Sequence, residues 1–501
     1  RSDGIPVGFH EVASADDLLP LLSAGRIVLD FSQRRAAVVE QAGKLAASVG
    51  GAIDFADNPA LVDEIANLVE EPVGVLGGFD ERYLELPDQI LISVMAKHQR
   101  YLPVRDADGK LLPYFVTMAN GICDAAVVAA GNESVLRARY EDSLFFWNQD
   151  LEADSVEEFV PGLEKLTFEN RLGSMGQRAR RIAAVASTLG EGLHLNADQA
   201  ATLTRAGALA KYDLATNLVT EMTSLAGFVA REYALRKGEP QAVADALREM
   251  EQPHTSADAV PASLPGALLA LGDRFDLLMA MFALGAKPSG SSDPYGLRRA
   301  ALGVARILRE VPGLAGIGVR DCLLSAAAAL RNQGIEVSDE AVSAAEEFIT
   351  GRYAQLMRDE GHSADLVAAV LPSATRPADA DAKIRDLEVL TGDAGWRVVV
   401  EAVVRINRIV PTGTPVGFDA AVLVDDAEKD LAQIISGREP GLSVSGFAKS
   451  AQELVKPIAR FFDETLVMAK DPSLRAARLG LLATVQSLAP AGLDWVAIDA
   501  A

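Results

Sequence analysis

Cysteine and histidine are scarce in this 501-residue chain: there are two cysteines, Cys123 and Cys322, and five histidines, at 10, 98, 194, 254 and 362. The cysteines stand far apart and form no Cys-x-x-Cys pair, which excludes a zinc ribbon and a dithiol redox motif. They read as reduced thiols used as small apolar side chains, the habit of a cytoplasmic protein. The scattered histidines argue against a multi-histidine metal site. Basic residues are outnumbered, 47 against 70, for a net charge of −23. A wholly basic nucleic-acid clamp is therefore excluded, and contact with nucleic acid has to run through local basic patches. No uncharged apolar run reaches the ~18 residues that a membrane span needs; the most apolar stretch, 264–286, carries Asp273, Arg274 and Asp276 at its centre. No cationic leader with a short apolar core opens the chain. It starts at Arg1 without a Met, which reads as a fragment or a processed chain. The phosphate loop GxxxxGK[ST], the GxSxG elbow and HExxH are all missing, as is any sign of paired arginines over ATP. The chemistry in hand is that of a chain that binds or positions, not one that makes or breaks bonds.

Hydrophobic residues make up 49% and charged residues 23% of the chain, enough apolar side chain for several buried cores. At ~100–200 residues each, three or four domains are expected. The first 150 residues mix strand and helix signals. Residues 26–31 read as a short strand, after which Ser32 opens a helix with Val38, Val39, Ala42 and Leu45 on one face. Residues 54–88 hold ten acids and one base, Arg82, a surface that repels phosphate. The best hairpin signal spans 101–119, with Asp106-Ala-Asp-Gly109 as the turn.

From Glu133 onward most segments read as helices. Residues 172–189 form one with a basic start: Arg171, Arg178, Arg180 and Arg181 occur with no acid between Asn170 and Gly190. Residues 297–308 form another, carrying Arg298, Arg299 and Arg306, with Asp293-Pro294 expected to cap it. Residues 372–381, rich in Pro, Ala and Asp, read as a linker. Near the end, a helix over 451–469 is expected to bury Leu454, Ile458, Phe461, Thr465 and Met468. Asp471-Pro472 then starts the next helix, 473–487, as N-cap and first residue. Arg475 and Arg478, three apart, share a face of it. Between Lys449 and Arg478 six bases (Lys449, Lys456, Arg460, Lys470, Arg475, Arg478) face four acids (Glu453, Asp463, Glu464, Asp471), an excess of +2 inside an acidic chain.

A resemblance gathers these pieces. Lys97-His-Gln-Arg-Tyr-Leu-Pro-Val104, Asp108-Gly-Lys-Leu-Leu-Pro-Tyr-Phe-Val116, Gly131-Asn-Glu-Ser-Val-Leu-Arg-Ala-Arg-Tyr140, Phe168-Glu-Asn-Arg-Leu-Gly-Ser174 and Leu209-Ala-Lys-Tyr-Asp-Leu214 resemble blocks of the bacterial glycyl-tRNA synthetase beta subunit. So do Ser289-Gly-Ser-Ser-Asp-Pro-Tyr-Gly-Leu-Arg-Arg-Ala-Ala301, Pro457-Ile-Ala-Arg-Phe-Phe-Asp463 and Asp471-Pro-Ser-Leu-Arg-Ala-Ala-Arg-Leu479, all in family order. The family's N-terminal part is missing before Arg1. The resemblance implies a mainly α, multidomain chain: an α+β, B3/4-like region over 1–150, a helical HD-like domain over 151–310, a helical linker domain over 311–380 and an anticodon-binding helical bundle over 381–501. It implies a beta chain that binds glycine tRNA and its anticodon and orients it for glycylation. The ATP- and Mg2+-dependent chemistry lies on a catalytic alpha chain, separate or fused, and no cofactor is held here.

The residue roles follow from that frame. Lys456, Arg460, Phe462, Arg475 and Arg478 are the expected anticodon contacts, because RNA is read through unstacked bases that stack on aromatic or guanidinium planes. The alternative for Arg460 is an ion pair with Glu464, and for Phe461 and Phe462 a place in the core. Arg171, Arg178, Arg180, Arg181, Arg298 and Arg299 are candidates for tRNA phosphate contacts, against the alternative of solvated or salt-bridged helix faces. The HD position reads Tyr212-Asp213 with no histidine nearby, a poor divalent site, so no metal is expected and Asp213 is expected to serve as a scaffold. Two other readings stay open: a metal-dependent HD-type phosphohydrolase, and a helical scaffold that binds only proteins.

Overall fold

A computed structural model describes residues 12–56, 59–290 and 292–500, so His10 and Ser291 of the motifs above lie outside the described residues. The chain divides into two compact units, one of residues up to Phe159 together with Asp213–Val229, the other of Val160–Tyr212 with Ala230 onward. Among the described residues no helix is long and apolar enough to cross a membrane.

The first unit is α+β. Helices α1 (Leu18–Ala24), α2 (Phe31–Ser48) and α3 (Pro59–Leu68) precede strand β1 (Pro72–Gly78); α4 (Asp88–Ser93) then leads to β2 (Leu102–Arg105), β3 (Leu111–Asn120) and the long α5 (Ala125–Asp150). The strands form one antiparallel sheet in the order β1-β3-β2, with Pro72 opposite Asn120 and Leu102 opposite Val116. The β2–β3 hairpin stands where the sequence puts it. Gly109 takes φ +80°, and the Asp106 carboxylate accepts from the Lys110 N–H at 2.8 Å. Val38, Ala42 and Ala46 of α2, each one turn apart, pack with Val62, Ile65, Val104 and Val116 into a core.

The strand expected at 26–31 does not form. The Arg34 guanidinium takes the carbonyls of Val28 and Leu29, both at 2.7 Å, so the acceptors a strand partner needs are already used. Asp30, not Ser32, caps α2, accepting from the Gln33 N–H at 2.8 Å.

The second unit opens with the two-stranded ribbon β4 (Thr167–Glu169) and β5 (Gly173–Ser174), then α6 (Met175–Glu191) and α7 (Ala197–Ala208). Helix α6 starts three residues later than expected because Ser174 and Gln177 close a reciprocal cap. After α8 (Asn217–Glu221) of the first unit come α9 (Phe228–Arg236), α10 (Gln241–Glu249) and α11 (Leu264–Ala283). Helix α11 is apolar on nearly all sides and is the axis of this region, contacted by α6, α7, α10, α12 (Leu297–Glu310), α13 (Val319–Asn332) and α14 (Asp339–Asp359). Its Gly272 lies under α6: a Cβ there would stand 2.7 Å from the Ile182 carbonyl oxygen. Only glycine permits that approach, which brings the acids of α11 against the arginines of α6.

The chain continues through α15 (Ala364–Val370), α16 (Pro377–Leu390), α17 (Ala394–Ile409), α18 (Asp426–Ile435), α19 (Val444–Glu464), α20 (Pro472–Leu488) and α21 (Trp495–Ala500). One apolar core runs from Ala305 and Tyr353 to Ile498, with Trp495 against both Trp396 and Phe447, each at 5.8 Å between ring centres. Residues 372–381 are not a linker. Pro377 takes the first turn of α16, Ala374 and Ala380 are fully buried, and the Val319 N–H donates to the Thr375 carbonyl at 2.8 Å. The alanines that suggested flexibility are contact points of close packing. Helix α19 begins earlier than expected, on Ser443 as cap, and stops at Glu464, where Thr465 turns extended and Met468 is exposed rather than buried. Asp471 and Pro472 start α20 as expected, Asp471 accepting from the Leu474 N–H at 2.9 Å.

Candidate functional site

The basic start of α6 turns inward. Arg178 and Arg181 face Asp273 and Asp276, the matching pair on α11. Arg181 clasps Asp276 through Nε at 2.6 Å and Nη2 at 3.1 Å and donates to Gln333 Oε1 at 2.5 Å. Arg178 donates to Asp273 at 2.8 Å and lies over the Phe168 ring at 4.4 Å. Lys211, held at φ +63°, bridges Asp273 at 3.1 Å and Glu251 at 2.6 Å. Burial favours the neutral forms, yet the fields of Lys211, Arg178 and Arg274 overcome it and hold the Asp273 carboxyl at about 2. Burial would likewise strip Lys211 of its proton, and Asp273 and Glu251 reverse that and raise its pKa. Burial pushes the Asp276 carboxyl up, and bidentate Arg181 is the group that opposes it.

Arg178 and Arg181, expected as phosphate contacts, are both buried and held by acids some 95 positions away in sequence. Lys211 and Glu251 were missed, since neither belongs to a helical pattern that singles it out. In the Tyr212-Asp213 pair, Tyr212 is fully buried and donates its hydroxyl to the Ala230 carbonyl at 2.7 Å. Asp213, also buried, accepts from the Gly227 N–H at 2.7 Å. Among the described residues no three His, Cys, Asp or Glu side chains are grouped as a metal ion requires.

The other basic candidates stay near the surface. Arg171 pairs with Glu169 at 3.3 Å and Arg180 with Glu164 at 2.5 Å, both arginines about two-thirds exposed. Asp293 caps α12 as expected, accepting from the N–H groups of Leu297 at 2.8 Å and Arg298 at 2.9 Å. Arg298 and Arg299 then line a hollow shared with Arg352.

In the C-terminal bundle the five expected contacts separate. Arg478 is buried: Nε donates to Glu428 at 2.6 Å, Nη2 to Asp425 at 2.6 Å and Nη1 to the Leu466 carbonyl at 2.9 Å. It ties α20 to the start of α18 and is withdrawn from any partner in solvent. Arg475, three residues earlier, is exposed, so the two do not share a face in the sense expected. Arg460 bridges Asp430 and Glu464, the latter at 3.0 Å, which is the ion-pair alternative named for it. Phe461 is fully buried. Phe462 is half-buried, packs on the core, and is covered by the Arg405 guanidinium at 4.2 Å. Lys456 and Arg475 are exposed, and no described carboxylate lies within ion-pair distance of either. Arg405 was missed: its only sequence signal is a base on a helix, and the ring it covers is far along the chain.

Residues 6–372 match the family described as glycyl-tRNA synthetase beta subunit. The chain is 35% identical over 490 residues, 95% of its length and 70% of the relative's, to a glycine–tRNA ligase beta subunit of Desulforudis audaxviator. It is 36% identical over 488 residues, 94% of its length and 69% of the relative's, to the corresponding protein of Shewanella oneidensis. A chloroplastic/mitochondrial glycine–tRNA ligase of Arabidopsis thaliana is 35% identical over 508 residues, covering 98% of this chain and 47% of that protein. A mainly helical chain with ordered matches of this extent is a subunit of an aminoacyl-tRNA synthetase. It belongs to the glycyl-tRNA synthetase beta subunit family and has the function of a glycine–tRNA ligase beta subunit.

Proposed function

We propose that this chain grips glycine tRNA and sets its acceptor end before a catalytic alpha chain, which holds ATP and Mg2+ and forms the glycyl bond. Its contribution to rate is positional, converting an encounter of two reactants into a held geometry. The modules proposed are the B3/4-like region over 1–150, the HD-like domain over 151–310, the linker domain over 311–380 and the anticodon-binding bundle over 381–501, in a cytoplasmic assembly. One observation carries the reading of the bundle. In a chain of net charge −23, its outer surface keeps Lys456 and Arg475 without acidic partners among the described residues and Arg405 over the Phe462 ring, 4.0 Å from the Asp463 carboxylate, while Arg478 is spent inside. Unpaired cations suit phosphates, and a guanidinium plane backed by a ring suits an unstacked base. The phosphohydrolase reading is disfavoured because Asp273 and Asp276, the acids nearest a metal role, are neutralised by Lys211, Arg178 and Arg181.

The test is binding of glycine tRNA with native and substituted anticodon to wild type, Arg475→Ala and Arg405→Ala. Arg475→Ala is expected to weaken both tRNAs alike and to flatten the salt slope of log K by about 0.7, as for a single-strand phosphate contact. Arg405→Ala is expected to cost about 1–3 kcal/mol through lost stacking and to narrow the gap between the two tRNAs. Wild type indifferent to the anticodon would remove the bundle from recognition.

A further inference from the structure

In the second unit no described carboxylate lies within ion-pair distance of the Arg298, Arg299 or Arg352 guanidinium. Arg298 and Arg299 come from the first turn of α12 and Arg352 from the middle of α14, and all three line one hollow of about 350 Å³ with His254, Thr255 and Ser256 on its rim. Arg298 donates one Nη to the Gly290 carbonyl at 2.7 Å. The Arg352 guanidinium lies 5.8 Å from the Phe348 ring, and its Nε is buried without any hydrogen-bond partner. Elsewhere this acidic chain supplies acids freely: Arg306 and Arg309, further along the same α12, pair with Glu310 and Glu360. Among the described residues lining the hollow the one acid is Asp359, and it already accepts from the Gln355 amide at 2.8 Å.

The rim is fixed. The Asp258 carboxylate accepts from the N–H groups of His254 and Thr255 at 2.9 and 3.0 Å and from the Thr255 hydroxyl at 2.8 Å. Arg306 holds the same loop by the carbonyls of Ser256 and Asp258 at 3.0 and 2.8 Å. Three guanidiniums gathered around a built concavity repel one another. An anion entering the hollow relieves that repulsion. Guanidinium forks match tetrahedral phosphate oxygens, two at a time. The hollow is wider than a lone phosphate needs, leaving room for the group esterified to it.

We propose that Arg298, Arg299 and Arg352 form a phosphate-binding pocket, with Arg299 and Arg352 as its principal ligands. The occupant is a phosphate group, carried by the tRNA backbone or free in solution; the first source rests on the function proposed above and the second does not. The experiment has two arms and uses the full chain. In one, inorganic phosphate is titrated against chloride at matched ionic strength by equilibrium dialysis, for wild type, the exposed-site variant Arg299→Gln and the double variant Arg299→Gln/Arg352→Gln. In the other, glycine tRNA binding is measured across a salt series with the same proteins.

Saturable phosphate uptake, weakened at least tenfold in the double variant and by an intermediate factor in Arg299→Gln, supports the pocket. A salt slope flatter by about 0.7–0.9 in the double variant supports it and names tRNA as the source; an unchanged slope with lost phosphate uptake supports it and names free phosphate. Should the double variant fail to fold, Arg299→Gln decides alone. The proposal is overturned if wild type takes up no phosphate and the variants keep the wild-type tRNA slope. Wild type that binds phosphate but no tRNA would refute the proposed function and leave the pocket standing.

Discussion

Replacing Arg478 by Ala separates a structural role from an RNA-binding one. The side chain is about 5% exposed and the Glu428 carboxylate against it fully buried. Two of Arg478's three acceptors are carboxylates, Glu428 and Asp425, each at 2.6 Å. Burial favours protonating Glu428, and its bonds from Arg478 and from the N–H groups of Asp425 and Val424 hold its pKa below the usual value. Removing the guanidinium leaves that buried charge short of the one cation paired with it among the described residues. Breaking a buried pair from one side costs about 3–5 kcal/mol. The backbone donors that remain on Glu428 place Arg478→Ala toward the lower end, about 3 kcal/mol. Urea unfolding followed by the fluorescence of Trp396 and Trp495, both in this core, reads the loss as a lower midpoint at unchanged slope. Adding Glu428→Gln should restore part of it, because the orphaned charge goes too. Arg475→Ala, on the exposed side, should leave the midpoint within about 0.5 kcal/mol of wild type. Arg478→Ala with wild-type stability and weakened tRNA binding would refute this placement of the side chain.

Acid should release the network around α11. The Asp273 carboxyl sits at about 2 in the folded chain against 3.8 for an ordinary aspartate, so the unfolded chain binds the extra proton first as pH falls. Its contribution, about 2 kcal/mol, is present above pH ~4 and lost as pH drops through ~2; Asp273→Asn should flatten the stability profile in that window, and an unaltered profile would contradict the assignment. Gly480→Ala should destabilise the C-terminal bundle by about 1–3 kcal/mol, measured by the same urea midpoint. The added Cβ would stand 2.1 Å from the Gly417 carbonyl oxygen, a backbone atom with little room to move. Glycine-dependent pyrophosphate exchange by this chain alone should be at background; exchange above background would place adenylate chemistry here.

What the sequence makes legible is local. The Asp471-Pro472 start, the Asp293 cap and the Asp106–Gly109 turn depend on neighbours within a few residues, and each stands where its pattern puts it. Strand β1 was not legible: Pro72-Val-Gly-Val-Leu-Gly-Gly78 has three glycines, and only pairing with β3 makes it a strand. Residues 372–381 misled because the composition of a flexible linker and that of a closely packed helix start coincide in Ala, Pro and Asp. Arginine was the least legible residue. Arg178, Arg181 and Arg478 looked like surface cations because each sits in a basic stretch, yet their acids lie 95, 95 and 50 positions away. The reverse holds for Arg352, whose want of an acid emerges only once α12 and α14 are packed.

Whether the chain recognises glycine tRNA is decided by titrating it with glycine tRNA and with a non-cognate tRNA over a range of salt. Glycine tRNA is expected to bind more tightly at every salt concentration, with log K falling linearly with log salt as phosphate contacts release counterions. Equal affinity for the two tRNAs, or no binding at moderate salt, would contradict it.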